Sequence, residues 1–286
     1  MKLKLMLFAL AMVAFGASNA QISIPDPSPA GSVWSKVGLS DVQVEYSRPK
    51  MKGRKIFGEG SDFLVPFGQV WRTGANSGTI ITTSSELMVE CNSLPAGEYM
   101  LITIPGAESW TVIFYKDKSI GGNMNAYKQE NDQLRVNVKS GKLTETVQTL
   151  TFNISDLSED AKTANLELAW ENTSVKIPLM HDFDAEVMKE IAAGTKVNVS
   201  NYLAAANYYY STDRDLDQAI QWMDLYLADN GNQFWNIYLK AEMQAKNGDS
   251  KGARATAEKS LELAKKNPGG DFGYIKRNED LIASLK

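Results

Sequence analysis

The spacing of apolar residues changes once along this chain of 286 residues, close to Pro178. Before Pro178, apolar and polar residues alternate, as in WTVIFY at positions 110–115, which is typical of half-buried β-strands. After Pro178, apolar residues recur every three or four positions, as in LDQAIQWMDLYLADNG, which is typical of helices. Eight of the nine prolines also lie at or before Pro178. The sequence therefore predicts a mainly β N-terminal domain followed by an all-α C-terminal domain.

Residues 21–178 are predicted to form an antiparallel β-sandwich or a partly open barrel. Further strand-like runs include VQVEYS, TIITTSS, EYMLITI and ANLELAW. Turn signals separate them, such as Pro-Ala-Gly at 95–97 and Gly-Gly at 121–122. Many short strands at near-regular spacing, without helical segments between them, favour these two architectures.

Two kinds of helical segment follow the β domain. Residues 179–199 are predicted to hold a linking helix, because Val187, Met188 and Ile191 lie at helical spacing and Gly194 follows them. The remaining residues, 200–286, are predicted to form paired helices that end in a capping helix over DFGYIKRNEDLIASL.

The paired helices resemble tetratricopeptide repeats. Ala219 and Ala253 lie 34 residues apart, each inside the second helix of a pair, and 34 residues is the period of that repeat. The resemblance is degenerate, since Asn207 stands where a small residue is usual and Lys240 where leucine is usual. Two units are fewer than the roughly three that a free-standing array needs. We therefore expect the array to pack against the β domain or against a second copy of the chain.

The first twenty residues have the pattern of a secretory signal peptide. Lys2 and Lys4 precede the apolar run LMLFALAMVAF, and small residues follow at Ser18 and Ala20. We expect cleavage after Ala20 and a periplasmic or secreted mature protein. The apolar run is about half of the ~20 residues that a membrane span requires. No later run approaches that length, so the mature chain is expected to have no transmembrane segment.

Cysteine content and charge narrow the expected partners. Cys91 is the only cysteine, so the sequence predicts neither an internal disulfide nor a lipid-modified cysteine at the cleavage site, and hence no lipoprotein. The chain has 30 basic and 34 acidic residues, a formal charge of −4, and loss of Lys2 and Lys4 would change this from −4 to −6. An acidic protein of this kind is not expected to bind nucleic acid.

Three motifs in the β region carry a resemblance to a known family. YSRP, KGRKIFG and VPFGQVWRTGAN follow one another in this order. Together with LPAGEYMLITIPG and WTVIFYKD, they resemble an exported bacterial family catalogued as domain of unknown function 2911. The resemblance covers about residues 26–178. It implies a β domain and an exported protein, and it implies no particular activity because none is established for the family. Members often carry helical repeats after the β domain.

The strongest candidate site is a cationic and aromatic group in two neighbouring turn-rich segments. Arginine presents a planar fork that suits carboxylate or phosphate groups, and it stacks on aromatic rings. Such a group predicts a pocket for an anionic or sugar-like ligand. The alternative is that Arg48 and Arg72 bind carbonyl oxygens and hold the long connections in place. The candidate ligand-binding residues are Tyr46, Arg48, Arg54, Lys55, Trp71, Arg72 and Asn76.

Trp71, Trp110 and Trp170 are each expected in the core rather than on a carbohydrate platform, because each has apolar neighbours two residues away. Trp222 and Trp235 are expected to belong to the helical packing. Whether Arg72 meets a loop carbonyl or an open pocket distinguishes the two interpretations of its segment.

The sequence predicts no catalytic set, no metal site and no cofactor. His181 is the only histidine, and a metal site with its acidic neighbours Asp182 and Asp184 is less expected than helix capping by those carboxylates. Cys91 lies in the strand-like run ELMVEC and is expected to be a small core residue. Paired carboxylates of the kind used in glycoside hydrolysis remain open from sequence alone, since three glutamates fall in or beside β segments. They are Glu45, Glu98 and Glu171.

The functional hypothesis from sequence is a non-enzymatic binding or interaction module of the cell envelope. In this hypothesis the helical repeats contact a protein partner or another copy, and the β domain takes an anionic or sugar-like ligand. The alternative is an envelope enzyme, hydrolase-like, with a carboxylate or His181 as base beside Arg48 and Arg72. A third possibility is a structural envelope component whose turns serve folding alone.

Overall fold

The computed structural model describes residues 24–195 and 198–285, apart from the side chain of Val199. The expected signal peptide over residues 1–20 lies outside the described residues. Contacts divide the chain into two compact units between Phe183 and Asp184, a β domain and a helical domain. Among the described residues, no helix has the length and apolar character needed to cross a bilayer.

The β domain is built on one antiparallel sheet of nine strands within the described residues. The described strands of this domain are β1 (Ala30–Val37), β2 (Ser40–Ser47), β3 (Phe57–Gly58), β4 (Val65–Pro66), β5 (Thr79–Thr83), β6 (Leu87–Val89), β7 (Asn92–Leu94), β8 (Gly97–Ile104), β9 (Ser109–Tyr115), β10 (Asp132–Ser155) and β11 (Thr163–Met180). All but β3 and β4 belong to the sheet, in the spatial order β1-β2-β5-β8-β9-β10-β11-β6-β7. The sheet therefore has β1 and β7 at its edges and is not closed into a barrel.

Strand β10 connects two parts of this sheet. Its first residues pair with β9 as far as Lys139, and its later residues pair with β11 from Ser140 onward. Side chains from both parts meet in one core. Tyr46 of β2 contacts Phe152 of β10 with ring centroids 4.8 Å apart, and the Tyr46 hydroxyl accepts a hydrogen bond from the Phe152 amide at 3.1 Å.

Strands β8 and β9 are buried on both faces. One face contributes to the main core, and the other packs Met100, Ile102 and Ile113 against Val70 and the 116–131 connection. This second contact explains why β9 carries an almost continuous apolar run rather than a strict alternation.

A long excursion between β2 and β5 covers part of the main core. It contains the short parallel pair of β3 and β4. Its start is fixed to β10 by hydrogen bonds from Met51 N to Gln148 O at 2.8 Å and from Leu150 N to Pro49 O at 3.0 Å. Its end is fixed to β8, where Trp71 and Thr103 exchange backbone hydrogen bonds of 2.8 and 2.9 Å.

The second unit contains six α-helices among its described residues. Asp215 and Asp249 cap two of them, accepting hydrogen bonds from Gln218 N at 3.0 Å and Gly252 N at 2.8 Å. The helices are α1 (Asp184–Gly194), α2 (Tyr202–Ser211), α3 (Leu216–Asp229), α4 (Phe234–Lys246), α5 (Ser250–Lys266) and α6 (Tyr274–Ser284). The predicted fold class, mainly β and then all-α, is confirmed.

Candidate functional site

A cavity of about 230 Å³ lies in the β domain beside the segment LVPFGQVWRTGAN. Pockets for drug-sized ligands measure roughly 300–1,000 Å³, so this cavity suits a smaller molecule. The residues that line it are Ser28, Pro49, Arg54, Leu64, Val65, Trp71, Arg72, Gly74, Ala75 and Trp170.

A tight turn presents Trp71 and Arg72 to the cavity. The preceding backbone is fixed by the pair of hydrogen bonds between Trp71 and Thr103. Thr73 follows with a φ of 54°, in the left-handed region, and the Trp71 indole N–H donates to Gly74 O at 3.3 Å. Side chains of neighbouring residues in an extended chain normally point in opposite directions. The turn after Trp71 interrupts the extended chain, and both Trp71 and Arg72 border the cavity.

Trp170 reaches the cavity at a bulge between β10 and β11. Residues 148–150 of β10 are not paired with β11, and they stand opposite Trp170 alone. They pair instead with residues 49–51 of the excursion. The next residue, Glu171, has a φ of 55°. A bulge of this kind redirects a side chain and interrupts pairing, which leaves room for a cavity beside Trp170.

Two buried N–H groups of the lining residues have no hydrogen-bond acceptor among the described residues. They are the indole Nε1 of Trp170 and the Nε of Arg72. Trp170 is only 1% exposed. A buried donor without an acceptor costs about 1–3 kcal/mol, so native proteins seldom keep one. The Arg72 side chain runs beside Gly78 and Gly122, where its Cδ would lie 3.6 Å from a Cβ at Gly122.

The lining is cationic. Its charged side chains are Arg54 and Arg72, and none of the lining residues is acidic. Arg54 is exposed and is held by two carbonyl oxygens, Nε to Met51 O at 2.9 Å and Nη2 to Lys50 O at 2.7 Å. Neither arginine forms an ion pair with a described residue. The carbonyl-binding role considered from sequence for Arg48 and Arg72 is thus filled by Arg54.

The wall behind the cavity is an aromatic cluster. Trp71 stacks on Trp170 with centroids 6.0 Å apart and ring planes inclined by 20°. Phe57 packs edge-on against both rings and against Trp110, at centroid distances of 4.8 to 5.9 Å. The expectation that Trp71, Trp110 and Trp170 belong to the core is confirmed. Their packing leaves the Trp170 indole little freedom to turn toward another acceptor.

The other four candidate residues lie outside the lining. Tyr46 is a core residue whose hydroxyl binds the Phe152 amide. Arg48 packs beside Gly31, and its buried Nε also lacks a described acceptor. Lys55 is exposed above the Phe63 ring, 5.6 Å from its centroid. Asn76 binds Ser47 Oγ at 3.0 Å and Ser28 O at 3.4 Å. The structure thus brings together Arg54, Trp71 and Arg72, with Trp170 as an addition.

The residues considered for chemistry have structural surroundings. His181 is 5% exposed, and its Nδ1 accepts a hydrogen bond from Leu39 N at 3.0 Å. The expectation that Cys91 is a core residue is wrong, because Cys91 is exposed in the turn between β6 and β7. The described residues contain no cluster of three or more His, Cys, Asp or Glu side chains that could hold a metal ion.

None of the three glutamates considered for paired-carboxylate catalysis lines the cavity. Glu98 forms an ion pair with Lys118, and Glu45 is exposed on β2. Glu171 accepts a hydrogen bond from Ile56 N at 3.3 Å, which helps to attach the excursion to β11.

Comparisons with known proteins assign the β domain to a family. Neither a search of the curated proteins nor a search of the solved structures gave a match. Residues 28–179, just over half of the chain, match the model of a family described as protein of unknown function (DUF2911). The family resemblance proposed from the three sequence motifs is confirmed, and the chain belongs to the DUF2911 family.

Proposed function

We propose that the protein is a non-enzymatic binding module whose β domain holds a small anionic or sugar-like ligand in the cavity beside Arg72. The observation that carries this proposal is the composition of the cavity lining, which holds two arginines, Arg54 and Arg72, together with Trp71 and Trp170 and contains no acidic residue. An anionic group in the cavity would compensate this positive charge.

The helical domain has a separate role in this proposal. We propose that α2–α5 are tetratricopeptide-like pairs that contact a protein partner or another copy of the chain. Ala219 and Ala253, at the 34-residue spacing, are both fully buried, in α3 and α5. Large apolar side chains are exposed on this domain, including Leu225, Trp235 and Phe272. Both observations support an interaction surface without identifying its partner.

We propose that the protein performs this binding role in the cell envelope. The support is the pattern of the first twenty residues, in which Lys2 and Lys4 precede a short apolar run and Ala20 ends it. The alternative of an envelope hydrolase would need a base beside the arginines. None of the lining residues is a carboxylate or a histidine. Burial raises the pKa of the Glu242 carboxyl, but Glu242 belongs to the helical domain. We therefore favour binding over hydrolysis.

A thermal shift screen with small anions and monosaccharides tests the binding role. A ligand present at a hundred times its Kd adds about 2.7 kcal/mol of stability, which raises the unfolding midpoint by roughly 5–10 °C. We expect such a shift in the wild-type protein and its loss in Arg72→Met.

Arg48→Met is the matched control for this screen. Arg48 also has a buried, unpaired Nε, but Arg48 does not line the cavity. We expect Arg48→Met to keep the ligand-dependent shift. A shift that persists unchanged in Arg72→Met would remove the cavity from the binding site.

A further inference from the structure

We propose that the β domain carries a second binding surface, a basic turn that docks on the anionic phospholipid headgroups of a bilayer. The basic turn consists of Lys50, Lys52, Arg54 and Lys55, four cations within six residues at the start of the excursion between β2 and β5. All four residues are exposed, and none of them forms an ion pair with a described residue. Their charge is therefore available to an external anionic partner.

The backbone of the basic turn is fixed. Arg54 N donates a hydrogen bond to Met51 O at 3.1 Å. The two residues between them, Lys52 and Gly53, have φ values of 50° and 72°, which is the geometry of a tight two-residue turn. The Arg54 guanidinium bonds to Met51 O and Lys50 O, and Met51 N donates to β10 at 2.8 Å. The cations are thus presented together, and docking does not require the backbone to become ordered.

The apex of the turn faces open space. A Cβ placed at Gly53 would meet no atom of the described residues within 4 Å. An extended surface can therefore approach the cations on either side of Gly53, whereas a cation at the bottom of a cleft would reach only a small ligand.

The charge of this region is opposite to that of the chain. The excursion, residues 48–78, has six basic and two acidic residues, whereas the whole chain has 30 basic and 34 acidic ones. The two acidic residues, Glu59 and Asp62, lie outside the basic turn. An anionic surface attracts the excursion and repels the rest of the chain, so it favours one orientation of the β domain.

Exposed apolar surface beside the cations favours a lipid bilayer over a soluble polyanion. Leu64 N donates to Lys55 O at 3.0 Å, so Leu64 lies next to the basic turn, and 42% of it is exposed. The ring of Phe63 lies on the same side, with its centroid 5.6 Å from Lys55 Nζ. Cations beside apolar side chains suit the boundary between headgroups and acyl chains. A soluble acidic polysaccharide offers no such boundary.

The expected strength of docking follows from the number of cations. Each Lys or Arg near an anionic leaflet strengthens binding about fivefold. Four of them give half-saturation at roughly millimolar accessible lipid, which is weak and reversible. Docking of this strength would concentrate the β domain at a membrane surface without inserting it.

Vesicle sedimentation of the chain from residue 21 onward tests the proposal, because residues 1–20 contain an apolar run that would bind lipid by itself. The probe is phosphatidylcholine vesicles with about one third phosphatidylglycerol, and pure phosphatidylcholine is the neutral comparison. We expect binding to the anionic vesicles to be at least about tenfold stronger. It should disappear at an ionic strength of about 1 M, where charges are screened beyond about 3 Å.

A triple variant assigns the binding to the basic turn. Lys50→Gln, Lys52→Gln and Lys55→Gln together should weaken binding to anionic vesicles about a hundredfold, while Arg54 keeps its bonds to the turn. The control replaces three exposed lysines of the helical domain by glutamine, which removes the same charge, and should stay within about threefold of the wild-type protein. They are Lys189, Lys251 and Lys259.

A second pair of variants tests the apolar contact. Leu64→Gln should weaken binding to anionic vesicles about threefold or more, because less apolar area leaves water. Leu157→Gln is its control. Leu157 is 52% exposed in the connection between β10 and β11, and its replacement should leave the affinity unchanged.

Several results would overturn the proposal. They are equal binding to anionic and neutral vesicles, absence of binding to both, and an equal loss in the two triple variants. If polygalacturonate, an acidic polysaccharide, binds through the three lysines of the turn and the vesicles do not, the partner is a glycan and the assignment to lipid is wrong. None of these results decides the ligand of the cavity, whose test depends on Arg72.

Discussion

Arg72 Nε and Trp170 Nε1 are unusual buried donors because neither has an acceptor among the described residues, and an unpaired buried donor is expected to reduce stability. A hydrogen-bonded polar group of the β domain, such as the Tyr46 hydroxyl, has the opposite effect. The unpaired donors therefore make a prediction about folding.

Replacement of Arg72 by methionine should not destabilise the protein. Arg72→Met removes a buried donor that has no acceptor and keeps a side chain of similar length, so we expect the free energy of unfolding to stay constant or to rise by about 1 kcal/mol. Urea denaturation without ligand measures this. Tyr46→Phe is the comparison variant and should lose about 1 kcal/mol or more, because the Phe152 amide loses its acceptor. A comparable loss in Arg72→Met would indicate that Arg72 has a structural role instead.

Glu242 should make the helical domain less stable at neutral pH. Burial raises the pKa of this carboxyl, and the Tyr238 hydroxyl and Arg277 only partly oppose the effect. Between the unfolded pKa of about 4.3 and the higher folded value, the folded state binds more protons, so the free energy of unfolding falls as pH rises through this window. Glu242→Gln should thus raise the melting temperature at pH 7, and the gain should vanish below pH ~4.

Circular dichroism at the helical band measures this pH dependence. Glu258→Gln is the control, because Glu258 is an exposed glutamate on the neighbouring helix α5. A gain from Glu242→Gln that is equally large at low and neutral pH would contradict the assigned cause.

At the residue scale, the sequence predicted part of the cavity lining. Arg54, Trp71 and Arg72 lie in motifs whose turns and charges predicted a pocket, and all three line the cavity. Trp170 was expected only as a core residue. Its place in the cavity depends on a bulge between β10 and β11, and on the insertion of residues 49–51 beside it, which are pairings between residues far apart in the chain. Alternation along β11 contains no signal for such an interruption.

At the element scale, the turn between β6 and β7 shows where a local pattern misleads. Glu90 and Cys91 have φ values of 47° and 62°, so the two-residue turn has both central residues in the left-handed region. Asn-Gly is the usual sequence for such a turn. The alternation of ELMVEC continues into the turn, and for this reason Cys91 was expected in the strand.

Substitution of the turn should stabilise the β domain. A left-handed backbone conformation costs a residue with a side chain roughly 1–2 kcal/mol. Glu90→Asn combined with Cys91→Gly places at these two positions the residues that adopt this conformation most readily. We therefore expect the free energy of unfolding to rise by about 1 kcal/mol. Chemical denaturation checks the gain. Ser93→Gly places glycine in β7, where the backbone is extended, and should instead destabilise the protein. No gain from the double substitution would mean that the turn tolerates its present residues without cost.

At the scale of the whole molecule, the two periods of apolar residues predicted the fold class. They did not distinguish a sandwich from a barrel. That choice depends on strand order. The structure places β6 beside β11 through the pairs Met88 with Met180 and Val89 with Leu179, about ninety residues apart, and leaves β1 and β7 as edges. No periodicity within one segment encodes which distant segment becomes its neighbour.

The division between Phe183 and Asp184 predicts separate contributions from the two domains. A fragment of residues 24–183 contains every residue of the cavity lining. We expect it to fold and to bind the same small ligand as the whole chain, within about threefold in Kd, a difference of less than 1 kcal/mol. Calorimetry on the fragment and on the whole chain measures this. A folded fragment that has lost affinity would show that the helical domain contributes to the site.

Strand β10 belongs to both parts of the sheet, with its partner changing from β9 to β11 between Lys139 and Ser140. Because one continuous strand supplies both parts, we expect the opening of one part to weaken the order of the other. In native-state hydrogen exchange, the amides of Val136 and Phe152 should therefore exchange with a common free energy and a common dependence on denaturant. The cavity between excursion and bulge would then be held by a single cooperative unit, and occupation of the site would slow exchange across the entire β domain.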